Sequence, residues 1–206
     1  MQRFRLHPKD PQQRLIKQAA VILRLGGVIA YPTDSCYALG CHIGDKDALE
    51  RIRRIREADR YHHFTLVCRD LTEIVRYAKV YTWQFRMLKA CTPGPYTFLL
   101  EATRETPRRL QHEKRRTVGI RIPDHRVAQM LLDELGEPVM SSTLLLPGDG
   151  LPLNDVDEIE ERLGPQLDAL LDAGSCGLEP TTVVDLAAKP PAVVRKGRGS
   201  LEPFGL

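Results

Sequence analysis

Short apolar runs of strand character alternate with amphipathic helical stretches along the whole chain, and that alternation restricts it to an α/β fold. The segment 11–25 carries Leu15, Ala19, Ile22 and Leu23 at helical spacing and stops at Gly26-Gly27. A buried strand is expected over 28–31. Asp45 is placed to cap a helix that shows Leu49, Ile52 and Ile55 on one side. Strands at 64–68, 96–102 and 117–122 follow, with short helices over 71–78 and 82–90. Asp124 stands before a helix that carries Val127, Met130, Leu131 and Leu135 and ends at Gly136. The remainder reads as an extended 138–143, an acidic helix over 156–163, and strands at 182–186 and 192–195, with 145–150 as the flexible loop. At 206 residues, without internal repeat or boundary, the chain is expected to form one domain over 1–206.

A hydrophobic content of 42% beside 28% charged residues is ordinary for a globular protein, and a net charge of +3 does not announce a nucleic-acid partner. The distribution of charge says more. Arg51, Arg53, Arg54, Arg56 and Arg60 form one basic run, Arg104, Arg108, Arg109, Lys114, Arg115 and Arg116 a second, and Arg195, Lys196 and Arg198 a third. Acid gathers at Asp155, Asp157, Glu158, Glu160 and Glu161. Either a phosphate-holding face or three separate solvated surfaces gives that pattern. The cysteines are odd in number and irregular in spacing, so they make no disulfide framework. Cys36, Cys41 and His42 lack the second ligand pair of a closed zinc site, and no metal site is expected. No histidine is marked as a base for Cys36, and His62 and His63 read as surface residues. The N-terminus has no leader-like apolar core, and no apolar run approaches the roughly 20 residues of a membrane span. A cytoplasmic protein without a membrane partner is expected.

The stretch most suggestive of chemistry is Tyr31-Pro32-Thr33-Asp34-Ser35-Cys36-Tyr37-Ala38-Leu39-Gly40. Three small oxygen-bearing side chains follow the strand and its proline, and such side chains compete with helix and sheet for backbone hydrogen bonds. At the carboxyl end of a strand they suit a ligand-facing loop. A plain strand exit with Asx-type bonding accounts for them equally well. On the first reading Thr33 and Ser35 offer hydroxyls to a ligand at a solvent-accessible strand end, and Asp34 orients backbone amides. No Walker A loop and no G-x-G-x-x-G is present, so a bound nucleotide would rest on side chains, chiefly the bidentate fork of arginine.

This stretch resembles the Pro-Thr-Asp-Thr-x-Tyr-Gly-Leu-Gly signature of the YrdC/YciO family, relatives of the threonylcarbamoyl-AMP synthases. Further matches follow in order: Pro93-Gly94-Pro95-Tyr96-Thr97, Gly119-Ile120-Arg121-Ile122-Pro123, Thr181-Thr182-Val183-Val184-Asp185 and Val194-Arg195-Lys196-Gly197. The resemblance implies a twisted mixed sheet with outer helices around a concave, positively charged cavity, the YrdC/RibB-like shape. Alternation alone would equally permit a three-layer sandwich. The resemblance also implies substrate or nucleotide contacts from Thr33, Ser35, Arg54, Arg56, Arg121, Ser141, Thr143, Thr182 and Arg195. Read without it, Arg54 and Arg56 complement a helix dipole, Arg121 is a strand terminus, and Arg195 is a rim charge.

Departures fall in the site motifs and place the chain on the YciO-like branch. Arg54 stands for the family's lysine, Glu57 for a proline, and Thr143 for an asparagine whose amide offers more donors. Pro147-Gly148 replaces a serine-glycine pair. The function implied is a threonylcarbamoyl-AMP synthase-like transferase taking ATP with Mg²⁺, threonine and bicarbonate, linked to tRNA modification. The alternative is a protein of the same fold that binds double-stranded RNA or nucleotide with little or no synthesis. An aromatic content of only 6% weighs against single-strand recognition by stacking.

Overall fold

Capping chemistry sets most of the helix boundaries in the computed structural model, which describes residues 1–57 and 64–205. The N-terminal strand β1 (Gln2–Arg5) leads into α1 (Gln13–Arg24), whose end is turned by Gly26 at φ +84, a conformation that favours glycine. After β2 (Ile29–Tyr31) and β3 (Ala38–His42), α2 (Lys46–Ile55) starts where the Asp45 carboxylate accepts the Ala48 N–H at 2.8 Å. It buries Ala48, Leu49, Ile52 and Ile55. Then come β4 (Thr65–Val67), α3 (Leu71–Tyr77), β5 (Ala78–Lys79), α4 (Thr82–Cys91), β6 (Tyr96–Ala102), β7 (Thr117–Arg121) and α5 (Arg126–Leu135). The chain closes with β8 (Val139–Thr143), α6 (Val156–Leu163), β9 (Ala169–Asp172), β10 (Thr182–Asp185) and β11 (Ala192–Arg195).

All strands join one mixed sheet in the order β1-β9-β2-β3-β8-β4-β7-β6-β10-β11, with β5 beside β6. Parallel pairs (β1/β9, β2/β9, β4/β7, β6/β10) are stitched to one another by antiparallel ones. Side-chain alternation divides the core between two faces. One face packs Leu39, Cys41, Leu66, Ile120 and Met140 against α2 and α6. The other packs Ile29, Tyr31, Val67, Val139 and Leu171 against α1 and α5.

Four strands were not expected from the sequence, among them the two-residue β5, which lies where the 71–78 helix was expected to end. β9 reads Ala-Leu-Leu-Asp, residues that favour helix, but it is pinned between β1 and β2, and the sheet overrides propensity. β3 contains Gly40 because a Cβ there would sit 2.8 Å from the Tyr31 ring and 2.9 Å from Val139. β1 is an edge strand whose Arg3 is anchored by Asp157, Glu160 and Asp172. Asp124 does not cap α5. That position belongs to His125, which makes no side-chain cap bond, and the Asp124 N–H is itself held by Asp34. Arg60, His62 and His63 lie outside the described residues.

Among the described residues no helix is long and apolar enough to cross a membrane, and no three His, Cys, Asp or Glu side chains converge as metal ligands.

Candidate functional site

The half of the second face not filled by α1 and α5 carries small hydroxyl side chains. Thr65 aligns across β4/β7 with Gly119 and across β4/β8 with Ser141. A Cβ placed on Gly119 would meet Thr97 Cγ2, Leu99 Cδ2 and Thr65 Oγ1 at 3.5–3.7 Å, so these side chains frame one patch of sheet. Thr181 joins it through a 2.9 Å bond between its hydroxyl and that of Thr97. Thr97, Ser141 and Thr181 are all buried. The result is a hydroxyl floor, polar yet withdrawn from bulk solvent.

The 32–37 loop leaves the sheet beside Thr143, the register partner of Ala38. Arg121 aligns through Val67 with Val139, at the other end of β8, so the loop and this guanidinium meet over the sheet face. Arg121 Nη1 donates to Ser35 Oγ at 3.1 Å, and Nη2 pairs with Asp34 Oδ1. Asp34 Oδ2 accepts the Asp124 N–H at 3.0 Å, which fulfils the expectation that this carboxylate orients backbone amides. Thr33 and Ser35 are not at a solvent-accessible edge: they are 1% and 3% exposed. The Thr33 hydroxyl donates to the Cys36 carbonyl at 2.6 Å and accepts the Ser35 and Cys36 N–H groups at 3.2 Å, so it builds the turn. Gly177 presses on the loop from outside, since a Cβ there would fall 2.2 Å from the Ser35 carbonyl oxygen and 2.5 Å from Arg198.

Two further arginines carry no acidic partner among the described residues, Arg195 beside this floor and Arg56 at the end of β8, where it approaches from the α2 side of the sheet. Arg56, the C-cap of α2, donates from Nη1 to Ser142 Oγ at 2.6 Å and to the Thr143 carbonyl at 2.5 Å. Arg195 grips Thr181, from Nη2 to its carbonyl at 3.0 Å and to its hydroxyl at 3.3 Å. Partial burial lowers the pKa of both guanidiniums, Arg56 being half-buried and Arg195 still exposed along part of its side chain. Both remain charged, since arginine is not deprotonated in proteins. Arg56 Nε and Arg121 Nε are buried donors with no hydrogen-bond partner among the described residues. Buried polar groups in native proteins are rarely left so, and an incoming acceptor would satisfy them.

Other residues singled out from the sequence do not join this group. Arg54 is exposed and its Nε reaches back to the Glu50 carbonyl at 3.4 Å, so the two arginines of the motif diverge. Ser141 has spent its hydroxyl, which accepts from Tyr31 OH at 2.8 Å and donates to the Leu39 carbonyl at 3.0 Å. Thr182, fully buried, donates to the Gly199 carbonyl at 2.7 Å and accepts the Gly197 N–H at 3.0 Å, fastening the C-terminal segment. Thr143 contributes its carbonyl. The Cys36 thiol is pushed up to about 11 by burial, against the pull of Arg121, Arg195 and Arg198, and is no nucleophile near neutral pH.

Sequence reasoning missed Ser142, Thr181 and His125. Ser142 and Thr181 stand beside residues that were chosen, and only the register reveals which neighbour faces an arginine. His125 has a buried, unpartnered Nδ1, and its pKa is lowered by burial although Asp34 and Asp124 oppose the shift. Its signal was available: a histidine two residues past the Pro123 that ends the Arg121 strand.

Comparison with known proteins bears on this geometry. A family model covering Sua5, YciO and YrdC, described as telomere recombination, matches residues 21–197. The chain belongs to the Sua5/YciO/YrdC family. It is 53% identical to YciO of Escherichia coli (strain K12), over 98% of each chain, and the crystal structure of E. coli YciO superposes with a TM-score of 0.95. A threonylcarbamoyl-AMP synthase of Halorhodospira halophila is 31% identical, over 82% of this chain and 89% of the other. The Sua5 structure from P. abyssi, complexed with L-threonine, gives a TM-score of 0.90 at 24% identity, covering 99% of this chain and 60% of the other; that likeness is one of fold. The family's single α/β domain with a mixed sheet and outer helices is therefore the fold of this chain.

Proposed function

We propose that the hydroxyl-floored cavity binds ATP with threonine and bicarbonate and joins them into threonylcarbamoyl-adenylate, serving tRNA modification. The observation that carries this reading is the pair Arg56 and Arg195, guanidiniums partly drawn from water and bonded only to neutral oxygens among the described residues. A partly desolvated cation without a counter-charge attracts an anion, and a polyphosphate or carboxylate supplies one. Kinship with proteins named threonylcarbamoyl-AMP synthase supports the choice of substrates.

The chemistry asks little of acids and bases. Threonine's amine and bicarbonate combine with loss of water to a carbamate. Its carboxylate oxygen attacks the α-phosphorus, and the bond to the β-phosphate oxygen breaks as pyrophosphate leaves. Positioned cations hold the phosphates and offset developing charge, which suits Arg56 and Arg195. Arg121 keeps the 32–37 loop in place and has Nε to spare for a ligand oxygen. Magnesium enters with the nucleotide as substrate. Both Asp34 oxygens are engaged, so the loop carboxylate is not set up as a metal ligand.

Two observations favour a second reading, in which the cavity holds nucleotide or double-stranded RNA but synthesises slowly. Arg54 points to solvent, and the Ser141 hydroxyl is saturated within the fold. Pyrophosphate release from ATP, with threonine and bicarbonate omitted in turn, separates the two. Release that requires both substrates supports the synthase. Nucleotide binding without release supports the second reading; absence of nucleotide binding removes the synthase, and absence of duplex RNA binding as well removes the second reading.

A further inference from the structure

A cleft of about 930 Å³ lies apart from that site and opens where β6 ends and β7 begins. Lys79, Glu101, Arg104, Arg108, His112 and Arg116 line it, and none of them borders the hydroxyl floor. Arg121 is at the far end of β7, four residues from Thr117, or about 13 Å along the strand.

The charges here are arranged differently from those in the cavity. Lys79 is neutralised by Glu101. Arg104, Arg108 and Arg116 are exposed, and no carboxylate among the described residues pairs with them. Lys114 is exposed beside them. Arg109 and Arg115, from the same basic run, are used structurally, on the Ile43 carbonyl and on Asp185. Among the described residues Ala102 is the one aliphatic member of the lining, which is more polar than apolar and also includes Glu113. Small-molecule sites are mostly apolar with a few placed polar groups, and the balance here is shifted toward polar surface. Phosphate backbones are instead held by arginine and lysine at solvent-facing surfaces. The acidic run of α6 lies at the other end of the sheet, where Arg3 on edge strand β1 ties down Asp157 and Glu160. Within the cleft, Arg104, Arg108, Arg116 and Lys79 outnumber Glu101 and Glu113, and that local excess of positive charge attracts an approaching polyanion.

We propose that this cleft is a docking surface for the phosphodiester backbone of RNA, separate from the nucleotide cavity and independent of whether that cavity is a synthase. Fluorescence anisotropy with a labelled RNA duplex over a range of salt tests it. The triple variant Arg104→Gln/Arg108→Gln/Arg116→Gln is compared with Arg14→Gln/Lys17→Gln/Lys46→Gln, which removes the same charge from exposed positions elsewhere. The cleft variant is expected to lose at least tenfold in affinity at low salt, and its salt slope should flatten by roughly 0.9 per lost phosphate contact. The control should change less than threefold. The single variants Arg104→Gln and Arg108→Gln should each give one step of that slope. ATP affinity should stay at the wild-type value in the cleft variant. Equal losses in both triple variants, or unchanged RNA binding in the cleft variant, overturns the proposal. Loss of pyrophosphate or ATP binding with RNA binding intact also overturns it, in favour of a small phosphorylated ligand.

Discussion

Arg121 and Arg104 carry the same charge on the same side chain, and the protein treats them in opposite ways. Arg121 has 9% of its side chain exposed, pairs with Asp34, bonds Ser35 and keeps one donor in reserve. Arg104 is exposed in the far cleft, and none of the described residues pairs with it. The contrast extends to their surroundings. The guanidiniums of Arg56 and Arg195 are likewise fixed on carbonyls and hydroxyls, so these side chains are ordered before any ligand arrives. Beside Arg104, Arg108 and Arg116 likewise make no ion pair among the described residues. A preorganised, desolvated site selects a ligand by geometry, whereas an exposed one selects by charge and is screened by salt.

The largest expected effect comes from breaking the first region. Arg121→Ala strands the Asp34 carboxylate, of which 10% is exposed, and also frees the 32–37 loop. Removing one partner of a buried pair costs about 3–5 kcal/mol. Arg104→Ala, with no bond to lose, should stay within about 0.5 kcal/mol. Urea unfolding of the two variants reads both numbers, and a cost below about 1 kcal/mol for Arg121→Ala would erase the distinction drawn between the regions.

A smaller effect sharpens the division of labour inside the loop. Thr33→Ala removes the hub of three turn bonds and should cost about 1–2 kcal/mol. Ser35→Ala loses mainly its link to Arg121 and should cost about 0.5–1 kcal/mol. Thermal melts that rank Ser35→Ala as the more damaging would mean that Arg121, not Thr33, shapes the turn.

The smallest effect is a pH dependence. Burial lowers the pKa of His125 below its ordinary 6.5, so the folded state binds fewer protons there than the unfolded chain. Its contribution is fully present above pH 6.5 and is lost as the pH falls through that range. Wild-type stability should therefore decline below about pH 6.5, and His125→Gln should flatten that decline. Parallel curves for the two proteins would show that His125 does not titrate with folding.

Much of the scaffold was legible because it rests on local rules. Asp45 as a cap, Gly26 and Gly136 as stops and the inward faces of α2 and α5 all follow from residue type and spacing. Alternation announced the fold class, and the ordered motifs narrowed it. β1, β3 and β9 escaped because their strand character is imposed by neighbours far away in sequence. The site was half legible for the same reason. Arg56, Arg121 and Arg195 could be chosen only through the family motifs they match, since by position alone they read as a helix-end charge, a strand terminus and a rim charge. The outward turn of Arg54, the engaged hydroxyl of Ser141 and the roles of Ser142 and Thr181 depend on register, which no local pattern encodes.

The central claim is that the cavity around Arg56 and Arg195 is the specific anion site, and calorimetric titration of ATP tests it most directly. Wild type, Arg56→Ala, Arg54→Ala and the far-cleft triple variant are compared under one buffer. Losing a charge-assisted bond of about 1.5–3 kcal/mol should weaken ATP binding by at least tenfold in Arg56→Ala. Arg54→Ala and the cleft variant should bind as wild type does. Unchanged affinity in Arg56→Ala, or equal weakening in all three variants, would contradict the account.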